Sequence, residues 1–169
     1  QTFQSYDTLN GGGGTDTLIA SMANSVTTTA TTLRNIENIQ TYSAANATTL
    51  DLTATSGVTE IGVTTPAGNF TVAGLSSTVT TLDVVSTDGV AAQTITFQYL
   101  NSAVSGSADA VTLNLTNVAS TTAADTIIIS PTTGTEGIET ININSEGSLT
   151  NNIILQGGTA ATATSKVTA

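Results

Sequence analysis

The stretch Asp7 to Leu18, read as Asp-Thr-Leu-Asn-Gly-Gly-Gly-Gly-Thr-Asp-Thr-Leu, holds the residues best suited to chemistry. Positions 11–19 fit the nonapeptide G-G-x-G-x-D-x-U-x at every specified position. Glycine reaches positive φ without penalty, so a run of glycines lets successive carbonyls curl toward one point. Calcium is a hard cation that takes six to eight oxygen ligands, and such a turn offers them. Asp16 supplies a carboxylate, and Leu18 points inward to anchor the next strand. The candidate ligands at this turn are Asp7, Asn10, Gly11, Gly12, Gly14 and Asp16. Asp7-Thr8-Leu9 reads as the tail of a preceding repeat, one nonapeptide upstream of Asp16-Thr17-Leu18. Four glycines in a row also describe a flexible linker; the flanking Asp-Thr-Leu pairs in nonapeptide register favour the ion.

Other acids stand at turn positions: Asp88, Asp109, Asp125, Glu136 and Glu146. Asp109 and Asp125 join the metal candidates, against the plainer reading that such residues bond their own backbone. Asp51 and Asp83 alternate with apolar neighbours and are expected to face solvent. Glu37 and Glu139 occupy equivalent places in a repeated pattern and are expected to cap a corner by accepting backbone N–H bonds.

The elements that position these residues read as strands. Helix formers are scarce, charged residues are 8% of the chain, and Thr and Val suit a pleated surface. Alternating stretches occur at 49–52, 69–72, 94–97 and 111–115, and continuous apolar runs at Ile127-Ile128-Ile129 and Ile153-Ile154-Leu155 predict strands buried on both faces. Turn signals at Ser56-Gly57, Asp88-Gly89, Ser105-Gly106, Glu146-Gly147 and Gly157-Gly158 punctuate them. Only 31–39 has any helical character, at most one turn.

A pattern of apolar-x-x-apolar-x-apolar at Val58–Val63 returns at Val79–Val84, with close versions at Ile36 and Ile138. A repeat of this kind, with a period of about 20 residues, matches one coil of a β-solenoid. Ala108-Asp109-Ala110-Val111 and Ala124-Asp125-Thr126-Ile127 form a second, more closely spaced pair. A longer echo separates Asp7 from Asp109, and Ile36-Glu37 from Ile138-Glu139, by one and the same interval. The expected fold is all-β, a parallel β-helix over positions 21–169 with a Gly-rich calcium-binding turn over positions 1–20, the whole a window on a longer repetitive array. A tandem of β-sandwiches is the alternative, since short strands and frequent turns suit it too.

Twelve acidic residues oppose two basic ones, Arg34 and Lys166, for a net charge of −10. Nothing here neutralises phosphates, so nucleic acid is excluded as a partner. No run is apolar enough for a transmembrane helix. Without cysteine the chain has neither disulfides nor thiolate zinc sites. Histidine is absent, basic residues are two, tryptophan is absent, and no spacing singles out a carboxylate pair. An enzyme is therefore not expected.

The Asp7–Leu18 motif followed by Leu33-Arg34-Asn35-Ile36-Glu37-Asn38-Ile39 resembles the RTX (repeats-in-toxin) group, in particular Gram-negative surface-layer and adhesin-like proteins with Thr/Ala/Val-rich β-regions. The Asp7–Leu18 stretch carries the specific part of the likeness; the rest matches in style. The resemblance implies type I secretion, Ca2+-dependent folding outside the cell, and self-association into a lattice or filament at the bacterial surface. It also leaves room for calcium-mediated attachment to cell-surface polysaccharide. An adhesin or a glycan- or ice-binding module is the alternative function. Only one full nonapeptide is present, so a long calcium-stacked roll is not implied.

Overall fold

Short runs of Thr, Val and Ile between glycine and asparagine turns are suited to brief strands, and strands are the main regular element of the described residues. The computed structural model describes residues 2–29, 31–43, 47–64, 66–85, 93–118, 125–133, 137–147, 151, 153–157 and 166–168. In chain order the strands are β1 (Leu9–Asn10), β2 (Thr17–Met22), β3 (Val26–Thr27), β4 (Leu33–Arg34), β5 (Asn38–Ser43), β6 (Thr48–Asp51), β7 (Glu60–Thr64) and β8 (Phe70–Leu75). They continue as β9 (Thr81–Val85), β10 (Thr94–Tyr99), β11 (Ala110–Thr116), β12 (Asp125–Pro131), β13 (Thr140–Glu146), β14 (Ile153–Gly157) and β15 (Lys166–Thr168). A 3-10 turn at Asn101–Ala103 is the only helical element among the described residues, and 31–39 contains none. No helix is long and apolar enough to cross a membrane among these residues.

Strands alternate between two large sheets. One runs β15-β13-β11-β9-β7-β5-β2 and the other β14-β12-β10-β8-β6-β3, with a short β1-β4 pair beside them. Every pairing among the described residues is parallel. That is a parallel β-solenoid, each coil giving one strand to each sheet, and it replaces the sandwich alternative, whose sheets are antiparallel.

The repeat that takes Val58–Val63 to Val79–Val84 is one coil. Ile61 lies opposite Leu82 and Val63 opposite Val84. Thr17, Asn38, Glu60 and Thr81 stack in register, one per coil. Later coils are longer: Thr81 faces Thr112 and Thr112 faces Asn142, and the Asp83-Asn114 and Asn114-Asn144 bonds span the same steps of 31 and 30. The Asp109 and Asp125 pair turns out to be half a coil, since Asp109 precedes β11 in one sheet and Asp125 opens β12 in the other.

Period-two alternation sends one side chain of each pair inward. Ile39, Ile61, Leu82 and Leu113 form one buried column, and Leu50, Val72, Phe97 and Ile129 face it from the other sheet. Each such side chain contributes about 1.5–3 kcal/mol by leaving water. The core is a single cluster extending from Phe3 to Ile141. Phe3 lies over its first coil, tied by its N–H to the Ser21 carbonyl at 2.8 Å. The run Ile127-Ile128-Ile129 departs from expectation: Ile127 and Ile129 are buried, but Ile128 is half-exposed on the outer face. A solenoid wall has only one dry side, so a continuous apolar run does not imply burial on both. Gly74, at φ 76, forms a bulge where the register slips, so that Leu75 still turns inward opposite Tyr99.

Candidate metal corner

The glycine run leaves β1 and enters β2 at the edge of the first coil. Gly11 N–H donates to the Arg34 carbonyl at 3.0 Å, extending the β1-β4 pair. The Asn10 side-chain oxygen accepts Gly12 N–H at 3.1 Å and the Asn35 amide at 2.9 Å, folding the run back on itself. Asn35 is left-handed, at φ 50. Gly11 is required by close approach: a Cβ there would collide with the Asn35 carbonyl and lie 2.6 Å from Asp16 Cβ.

Asp16 is bonded to the next coil in both directions. Its N–H donates to Glu37 Oε2 at 2.8 Å, and its carbonyl accepts from Glu37 N–H at 3.2 Å and Asn38 N–H at 3.0 Å. Its carboxylate is the exception: Asp16 Oδ2 is buried and accepts no hydrogen bond. A buried acceptor left in this state costs about 1–3 kcal/mol, more for a charged group.

Asp109 and Glu139 repeat the corner. Asp109 N–H donates to Glu139 Oε2 at 2.7 Å, and the Asp109 carbonyl accepts from Glu139 and Thr140 N–H at 3.2 and 3.0 Å. Here Gly106 N–H reaches Asp109 Oδ2 at 3.1 Å and serves the carboxylate. The expected corner-capping role of Glu37 and Glu139 is thus seen in both places. In the long echo the counterpart of Asp109 is Asp16, not Asp7.

The structure brings Asn10, Gly11, Gly12, Asn35, Asp16 and Glu37 into one corner, whereas the other candidates lie apart. Asp7 closes a turn with Gln4, its Oδ2 accepting Gln4 N–H at 2.9 Å. Gly14, at φ 119, is exposed on the tip of the run. Asp109 belongs to its own corner. Asp125 is fully buried in the six-stranded sheet, and its Oδ1 accepts Gln93 N–H at 2.9 Å. Asp88 and Glu136 fall outside the described residues. Among the described residues no three acids gather into a metal-holding group. An ion at Asp16 would thus be held by its carboxylate and Glu37 together with carbonyl and amide oxygens, a donor set that suits calcium. Asn35 is not among the candidate ligands that the sequence offers; the register places it beside Gly11, one step past the Asn10–Arg34 pair.

Two further arrangements emerge only from the register. Asp83 and Asp51 face outward, as expected. Asp83 heads a ladder on the outer face of the seven-stranded sheet: Asn114 donates to it at 2.6 Å, and Asn144 donates to Asn114 at 2.8 Å. Thr49, Thr71 and Thr96 line up on the outer face of the other sheet.

Compared with protein-family models, curated proteins and solved structures, the chain has no match.

Proposed function

We propose that this chain is a structural segment of a secreted bacterial surface protein that associates with itself into a surface layer or filament, with calcium at the Asp16 corner steadying its first coils. The observation that carries this reading is the stack itself. Its inward side chains form one axial core, and Asp83, Asn114 and Asn144 form a hydrogen-bonded ladder on the outer face, an arrangement suited to a rod. The buried Asp16 Oδ2 without a donor supports the calcium, and the nonapeptide resemblance supports type I secretion. Twelve carboxylates against two basic groups also favour assembly that depends on divalent ions, including bridges to surface polysaccharide.

The test is negative-stain microscopy and light scattering of the purified chain with millimolar calcium and with chelator. Sheets or fibres that form with calcium and disperse with chelator are expected. A particle that stays monomeric under both conditions refutes the assembly reading. The aligned Thr49, Thr71 and Thr96 favour a second function, adhesion through a flat hydroxyl face that takes glycan or ice. A monomer retained on a glycan array, with retention lost on Thr71→Val, is the outcome that selects it.

A further inference from the structure

Strand β2 is the outermost strand of the seven-stranded sheet, with β5 on one side and no strand on the other. Successive residues of a strand turn their backbone groups to opposite edges. The Asp16 carbonyl is bound by Asn38 N–H at the start of β5, whereas the Ser21 carbonyl is bound on the far side by Phe3 N–H. Thr17 and Ile19 share the parity of Ser21, so their N–H and C=O groups face the open edge. Phe3 closes only the Ser21 end of that edge, and the described residues supply Thr17 and Ile19 with no backbone partner on it.

The edge also lacks the usual deterrents to pairing: β2 contains neither charge nor proline. Its outward side chains, Thr17, Ile19 and Ser21, are exposed, Ile19 to 69%. Tyr42 stands one diagonal from Ile19 on the same outer face, since Ser21 faces Tyr42 and Ile19 faces Gln40 in the register. Tyr6, Ile19 and Tyr42 are the large apolar side chains left exposed among the described residues, and all three belong to this end of the stack. Charge decides what can sit there. A net charge of −10 sets copies of the chain against one another. Positions 17–33 and strand β5 carry no charged residue, so two copies meet here without that cost.

We propose that the open edge of β2 is a self-association surface whose occupant is β2 of a second copy, paired antiparallel about a two-fold axis at Leu18. Thr17 of each copy then lies opposite Ile19 of the other, and the backbone groups facing the edge bond across the seam. One surface serves both partners, as a two-fold contact requires. The inference rests on the self-association proposed above, for which it names one contact.

Sedimentation velocity over a concentration series in millimolar calcium tests it. The wild type should form dimers, and Ile19→Lys should weaken them by more than about tenfold, the factor for exposing such a side chain again. Ser77→Lys, at an exposed turn between β8 and β9, should match the wild type. The chain has no cysteine, so a mixture of Thr17→Cys and Ile19→Cys copies reads the register. Residues paired across an antiparallel seam come within disulfide range, and the mixed disulfide should exceed its statistical share. A wild type that stays monomeric at every concentration leaves the edge to a different partner and overturns the proposal. Sheets or filaments that persist in Ile19→Lys, with cross-links that show no preference for the mixed pair, overturn this contact and leave the assembly reading standing. Dimers that obey the register but never grow further uphold the contact and overturn the assembly reading. Should Ile19→Lys fail to fold, the cross-linking ratio alone decides.

Discussion

Replacing Gly11 with alanine tests the corner with a single methyl group. The added Cβ meets the Asn35 carbonyl and comes within 2.6 Å of Asp16 Cβ and 2.7 Å of Asp16 Cγ. Neither neighbour yields easily. Asn35 is backbone already in the left-handed region, and Asp16 is tied to Glu37 and Asn38 by three hydrogen bonds through its own backbone. Overpacking of this kind costs about 1–3 kcal/mol. For a chain of this size each kcal/mol lowers Tm by about 2–4 °C, so a fall of about 2–12 °C is expected. The ion adds a second signature. At millimolar calcium a native-only site with Kd near 10⁻⁴ M adds about 1.4 kcal/mol, and displacing Asp16 should remove most of that gain. Gly13→Ala is the matched control, because a Cβ there meets nothing within 4 Å. Calorimetric melts of the three proteins, each with calcium and with chelator, separate the effects. If Gly11→Ala melts with Gly13→Ala and responds equally to calcium, the steric and coordination arguments both fail.

Three further sets of substitutions probe other parts of the stack. Leu82→Ala, at a fully buried position stacked between Ile61 and Leu113, should cost about 2–5 kcal/mol in denaturant unfolding. Glu37→Ala and Glu139→Ala each strip an acceptor from an aspartate N–H and should each cost about 1–3 kcal/mol. Only Glu37→Ala should also weaken the response to calcium in the same melts, since Gly106 already serves Asp109. Tyr99→Phe leaves the buried Val79 carbonyl without its 2.8 Å donor, a loss of about 1–3 kcal/mol. Burial pushes the Tyr99 phenol well above its ordinary 10, so the folded form holds that proton where the unfolded chain releases it. Stability should then fall as pH rises above 10, and in ultraviolet titration Tyr99 should ionise only as the circular dichroism of the fold is lost.

The solenoid could be read from the sequence because its coil length is written in side chains that stack on their own kind. Val58–Val63 and Val79–Val84 superpose residue for residue across β7 and β9. Glu37 and Glu139 were readable as corner caps for the same reason. Where the coil lengthens past Val85, a fixed offset stops pointing to the right partner, so the interval that takes Glu37 to Glu139 pairs Asp109 with Asp7 in place of Asp16. The outer ladders were hidden for another reason. Asp83, Asn114 and Asn144 are separated by long and unequal steps in the chain, and only hydrogen-bonded register makes them neighbours. The threonines at 49, 71 and 96 likewise look scattered until the sheet aligns them. Burial on one side of a wall rather than two is a property of the closed coil, invisible in Ile127–Ile129 alone.

Parallel stacking also determines how such a body would bear tension. The bonds between neighbouring strands run roughly along the long axis, so a pull on the two ends strains them rung by rung rather than sliding strands past one another. Each coil grips only its neighbours, and failure would start at one end and travel. A coil such as the one from Asp16 to Glu37 releases about 70 Å of chain when it peels away. Under load the rod would behave as a tether that lengthens in short increments and can rewind when slack returns, a useful trait in anything fixed to a cell that is dragged by its surroundings.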